Sequence, residues 1–111
     1  MTRKQMRVRL MADRALAKIE REGIPLNHAE FVQALNVTRM NVHGPLMHET
    51  VGRWSSLLLT GSVDDVRREM DDDELFTELS PLNVVLSKQE RHDVLMDLHN
   101  RQVTRRFALA G

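Results

Sequence analysis

Cysteine and tyrosine are both absent from this 111-residue chain, and three phenylalanines and one tryptophan are its only aromatics. Without cysteine there is no disulfide framework, no thiolate nucleophile and no Cys-type zinc site. So few aromatics make a poor platform for stacking single-stranded bases. No apolar run approaches the roughly 20 residues that cross a bilayer. The basic start, Met1-Thr2-Arg3-Lys4-Gln5-Met6-Arg7-Val8-Arg9, leads into no continuous apolar stretch. Neither a membrane span nor a secretory leader is expected, and a cysteine-free chain agrees with a cytoplasmic location. There is no glycine-rich phosphate loop and no sustained strand-like alternation.

What the chain does have is charge, and the two signs are kept apart. Apolar residues make up 41% and charged residues 29%, the balance of one globular domain. Lys and Arg total 16 and Asp and Glu total 16, so the net charge is zero. Yet residues 1–21 hold seven bases against two acids, and residues 61–97 hold eleven acids against four bases. The last fourteen residues carry Arg101, Arg105 and Arg106 and no acid. Opposed blocks of this kind favour different partners on different surfaces. The chain divides into a basic helical region, 1–61, and an acidic one with a C-terminal helix, 62–111, within one continuous domain.

Helix formers dominate, and the pattern predicts an all-α bundle of five to seven short helices. The first runs from about Arg3 to Glu22. On its wheel Val8, Ala12, Ala15, Leu16 and Ile19 share a roughly 100° arc, with most of the bases on a neighbouring one. Gly23 ends it, and Pro25 prevents its resumption. Asn27 with Glu30 reads as a capping box for a helix to Leu35. A break follows at Asn36-Val37-Thr38, then a short helix from Arg39 to His43. A helix over 45–59 buries Leu46, Val51, Trp54 and Leu58. Ser62 caps an acidic helix over 63–70, and Asp71-Asp72-Asp73 introduces another over 72–79. Residues 82–86 form a turn of helix or an extended connector. Ser87 with Glu90 caps a last helix over 88–107 that points Val94, Leu95, Leu98 and Val103 inward.

The segment from Ala29 to Leu46 has the layout of a helix-turn-helix. Leu35, Val37 and Val42 would lock the pair, and Asn36 tolerates the turn conformation. Thr38, Arg39, Asn41 and His43 would then face the major groove, where Arg reads guanine and Asn reads adenine. The stripe on the first helix, with Lys4, Arg7, Arg14 and Lys18, would hold phosphates. The stretch from Ile19 to Leu46 resembles the N-terminal DNA-binding region of the plasmid KfrA-type regulators. The resemblance rests on Gly23, Pro25, Phe31, Leu35-Asn36, Thr38, Val42, Leu46 and Arg53-Trp54. It implies duplex DNA as partner and a homodimer.

A second resemblance points elsewhere. The basic amphipathic helix followed by Glu22-Gly23 is similar to the small antitoxins that inhibit Fic-domain AMP-transferases, although Lys18 stands where they carry Ser or Thr. The acidic block is either a solvated helix pair, a docking surface for a basic partner built from Asp71, Asp72, Asp73, Glu74, Leu75 and Phe76, or a self-association surface. Catalysis finds no support. His48-Glu49 is followed by Gly52 where a zinc-protease signature needs His. His92 and His99 share a helix face and are most simply structural. No serine has an evident base partner, and no metal or cofactor is expected. A transcriptional regulator reading duplex DNA is the leading expectation. A phage- or plasmid-type inhibitor or antitoxin, without enzymatic activity, is the alternative.

Overall fold

The chain is described from a computed structural model, which covers the backbone of residues 2–110 and the side chains of residues 2–101. It is all-α. Its elements are α1 (Arg3–Glu22), α2 (Ala29–Asn41), α3 (Pro45–Thr60), α4 (Val63–Asp72), α5 (Glu74–Glu78), a 3-10 turn (Leu82–Val85) and α6 (Lys88–Ala110). Val103, predicted to point inward, lies outside the described side chains.

Helix α1 is the spine. Thr2 and Gln5 form a reciprocal cap, with Oγ1 accepting from the Gln5 amide at 3.1 Å and Gln5 Oε1 accepting from the Thr2 amide at 2.8 Å. Gly23 ends the helix at φ 65°, a conformation that disfavours a side chain. The predicted arc of Ala12, Ala15, Leu16 and Ile19 is buried. Around it pack α5, α6 and the 3-10 turn, while α2 packs on α3 and the turn. Residues from both the basic and the acidic half share one core.

Trp54 lies at the centre of that core. Its ring stacks on Phe76 at 4.1 Å and nearly parallel, and its indole N–H donates to the Phe76 carbonyl at 2.8 Å. A large buried aromatic is stable only when its polar edge is paired as well. The bond joins α3 to α5, so the acidic half is tied to the basic half at the deepest point of the fold. Ser87 with Glu90 forms the predicted capping box, and the predicted cap Ser62 forms a second box with Asp65.

Two local expectations need correction. Residues 36–38 do not break the chain, because 29–41 is one helix. None of these three residues is Gly or Pro, so nothing forces them out of helical geometry. Phe31 and Leu35, one turn apart and both buried, carry the helix through. The Thr38 hydroxyl donates to the Ala34 carbonyl at 3.1 Å, within the helix. The first residue that requires a turn is Gly44, at φ 89°, just before Pro45 opens α3. The cap of α2 also differs: His28 Nδ1, not Asn27, accepts from the Glu30 amide at 3.2 Å.

Candidate interaction surfaces

The four residues expected to read bases lie at the end of α2 and just beyond it. Thr38 is half-buried and its proton is given to Ala34. The Arg39 guanidinium donates to Asn36 Oδ1 at 2.7 Å, and the Asn41 amide donates to the Val37 carbonyl at 2.8 Å. His43 is exposed in the connecting turn. A recognition helix presents its N-terminal residues to bases, whereas Thr38, Arg39 and Asn41 occupy a helix C-terminus with side chains turned back onto the same helix. Val37, expected to lock two helices together, is 59% exposed.

The expected phosphate stripe is used inside the molecule. Lys4 pairs with Glu78 at 2.9 Å, Arg14 with Asp97 at 3.6 Å and Lys18 with Glu90 at 2.6 Å. Lys18 also donates to the Val85 carbonyl at 2.9 Å. The neighbouring Arg9 reaches Asp13 at 3.0 Å and Asp71 at 2.6 Å. Of the four predicted phosphate ligands, Arg7 alone takes part in none of the ion pairs among the described residues, and it is exposed. The Lys18 ammonium, followed by the Ser87 amide, pulls the Glu90 carboxyl down to about 2. The opposed charge blocks therefore face each other across α1.

The acidic block is likewise consumed. Asp73 caps α5, accepting from the Phe76 amide at 3.2 Å, and pairs with Arg53 at 2.8 Å. Arg53 also pairs with Glu69 and lies over the Phe76 ring, 5.0 Å from its centroid. Its guanidinium, followed by the Phe76 amide, lowers the Asp73 carboxyl below the usual aspartate range. Glu74 accepts from Gln5 at 2.7 Å and Asp71 belongs to Arg9. Leu75 is half-buried, and Asp72 faces solvent. Phe76, expected on a docking surface, is wholly buried under Trp54. Acids beside an apolar residue marked the place where this segment closes on the core, because its polar side had bases of α1 and α3 to meet.

Large apolar side chains instead stay exposed on the outer side of α2 and the first turn of α3. Met40 is 83% exposed, Leu46 66% and Val32 38%. Leu46 had been expected in the core. On a continuous helix, Val37 and Met40 fall on the side opposite Phe31 and Leu35, and Val32 falls on the flank between. That arrangement is readable from spacing, but a break at 36–38 scrambles the wheel and hides it. His92 and His99 are both exposed. Among the described residues no helix is long and apolar enough to cross a membrane.

Two grooves flank the first half of α1. One, of about 430 Å³, runs along α4 and α5 between the Lys4–Glu78 and Arg9–Asp71 pairs. The other, of about 440 Å³, lies against α6 and is lined by Arg3, Lys4, Arg7, Leu95 and Leu98. Comparison with known protein families, curated proteins and solved structures finds no match to this chain.

Proposed function

We propose that this chain is a non-enzymatic binding module that recognises a partner protein, as an inhibitor or antitoxin does, and that it does so through the outer side of α2 and the start of α3. The observation that carries this reading is the exposure of Val37, Met40 and Leu46 within ten residues of one helix–turn–helix segment. Exposed apolar side chains are common singly; three or more on one short helix–turn–helix segment favour a contact surface. The surface differs from the two considered from sequence, the acidic block and the basic first helix, whose charges are largely occupied by each other. The test is affinity capture with the wild-type chain and with Val37→Asp and Met40→Asp. A specific partner retained by wild type and lost by both folded variants supports the reading. Capture unaffected by either substitution contradicts it.

One feature favours DNA as a second reading. Helices α2 and α3 pack on each other through a three-residue turn, Val42-His43-Gly44, the arrangement of a helix-turn-helix displaced by one helix from the predicted position. In that reading α3 rather than 39–43 enters the groove. Its exposed start, Leu46, His48 and Glu49, offers no lysine or arginine to phosphate. Saturable duplex binding at about 50 mM salt, weakened by His48→Ala, would establish it over the protein-binding reading.

A further inference from the structure

Helices α1 and α6 run antiparallel along a charged seam. Lys18 meets Glu90 and, farther toward the N-terminal end of α1, Arg14 meets Asp97. Beyond Asp97 the sequence of α6 holds no further acid, only Arg101, Arg105 and Arg106. On α1 the bases continue past that point as Arg7 and Arg3. Both are exposed, and neither belongs to any of the ion pairs among the described residues. The seam thus runs out of acids before it runs out of bases. At that open end lies the 440 Å³ groove, with Leu95, 45% exposed, and buried Leu98 on its α6 side.

We propose that this groove binds an acidic amphipathic segment of a partner protein, an apolar side chain resting on Leu95 and carboxylates one helical turn apart meeting Arg3 and Arg7. Residues four apart on a helix are separated by about 6 Å along its axis, a spacing that matches carboxylates four apart on a second helix. Guanidinium groups take carboxylates in two-point contact. Charge complementarity selects an anion, and the leucine selects an anion with an apolar face. A nucleic-acid backbone satisfies the arginines but leaves Leu95 uncovered. The groove is separate from the α2 surface, so failure of either proposal leaves the other standing.

The probe is a fluorescein-labelled helical peptide with glutamates one turn apart around a leucine, titrated with the full chain and followed by anisotropy. Saturable binding is expected, weakened at least tenfold by Arg3→Glu with Arg7→Glu, by glutamine in place of the peptide glutamates, and by alanine in place of its leucine. Helicity by circular dichroism checks that the double variant is folded. Leu95→Gln, which leaves every charge in place, provides a second disruption and is expected to weaken binding as well. No saturable peptide binding, binding indifferent to these changes, or tighter binding to a DNA duplex or to anionic vesicles of equal charge would overturn the proposal.

Discussion

The acidic segment from Asp64 to Glu78 and helix α2 draw attention in the sequence for opposite reasons, one for its charge and the other for its resemblance to a DNA-reading unit. In the fold they exchange roles. The acidic segment closes inward: Phe76 stacks under Trp54, Asp73 caps α5 and holds Arg53, and Asp71 holds Arg9. Helix α2 uses Phe31 and Leu35 to attach itself and leaves Val37 and Met40 in solvent. A run of acids is a weak sign of a binding surface when the same chain supplies a matching run of bases. Exposed apolar residues on an anchored helix are a stronger one, because none of the described residues covers them.

The contrast can be broken most severely at the Trp54–Phe76 stack. Trp54→Ala should cost about 3–5 kcal/mol in denaturant unfolding, since it removes a buried aromatic and orphans the Phe76 carbonyl. A loss below about 1 kcal/mol would mean that the acidic half is not part of the core. Next in size is Val37→Pro, which tests the continuity of α2. Proline in a helix interior costs about 3 kcal/mol, whereas a turn at 36–38 would accommodate it with little loss.

Acid should loosen the acidic side. The Glu90 carboxyl is lowered to about 2 from an ordinary 4.5, and those of Asp65 and Asp73 are lowered in the same direction, Asp65 chiefly by the Ser62 amide. Carboxylates depressed in the folded state stabilise it fully above their unfolded values, and that contribution fades as pH falls toward the folded ones. The melting temperature should therefore hold near neutrality and decline as pH drops from about 4.5 toward 2. A melting temperature flat through that window would show that the ion pairs do not persist in solution. Arg53→Ala removes one guanidinium from two carboxylates and an aromatic face in a half-exposed setting, and should cost roughly 1 kcal/mol. Met40→Asp should change stability by no more than about 0.5 kcal/mol, because the side chain packs on little. A large loss there would make Met40 part of the core and remove the basis for the α2 surface.

Much of the fold was legible in the sequence because its signals are local. The 3.6-residue spacing of Ala12, Ala15, Leu16 and Ile19 marks the core face of α1. Gly23 marks its end, and Ser62 and the pair Ser87–Glu90 mark two helix starts. The candidate sites were less legible because their meaning depends on distant residues. Lys18 and Glu90 are 72 positions apart, so a basic stripe and an acidic block look like two surfaces until the chain brings them together. The absent break at 36–38 follows from the burial of Phe31 and Leu35 against α3 and the 3-10 turn, a tertiary contact that outweighs the modest helix propensities of Asn, Val and Thr. Phe76 reads as exposed only because its neighbours are acids, whose partners lie on α1 and α3.

The central claim is that the basic stripe of α1 is a seam holding the fold together rather than a surface for phosphates. The most direct measurement is a carbon-detected NMR titration of the Glu90 side chain in the wild-type chain and in Lys18→Met. The seam predicts a carboxyl that titrates near 2 in the wild type and moves back toward 4.5 when Lys18 is removed. A wild-type Glu90 that titrates at an ordinary glutamate value, unchanged by the substitution, would contradict it.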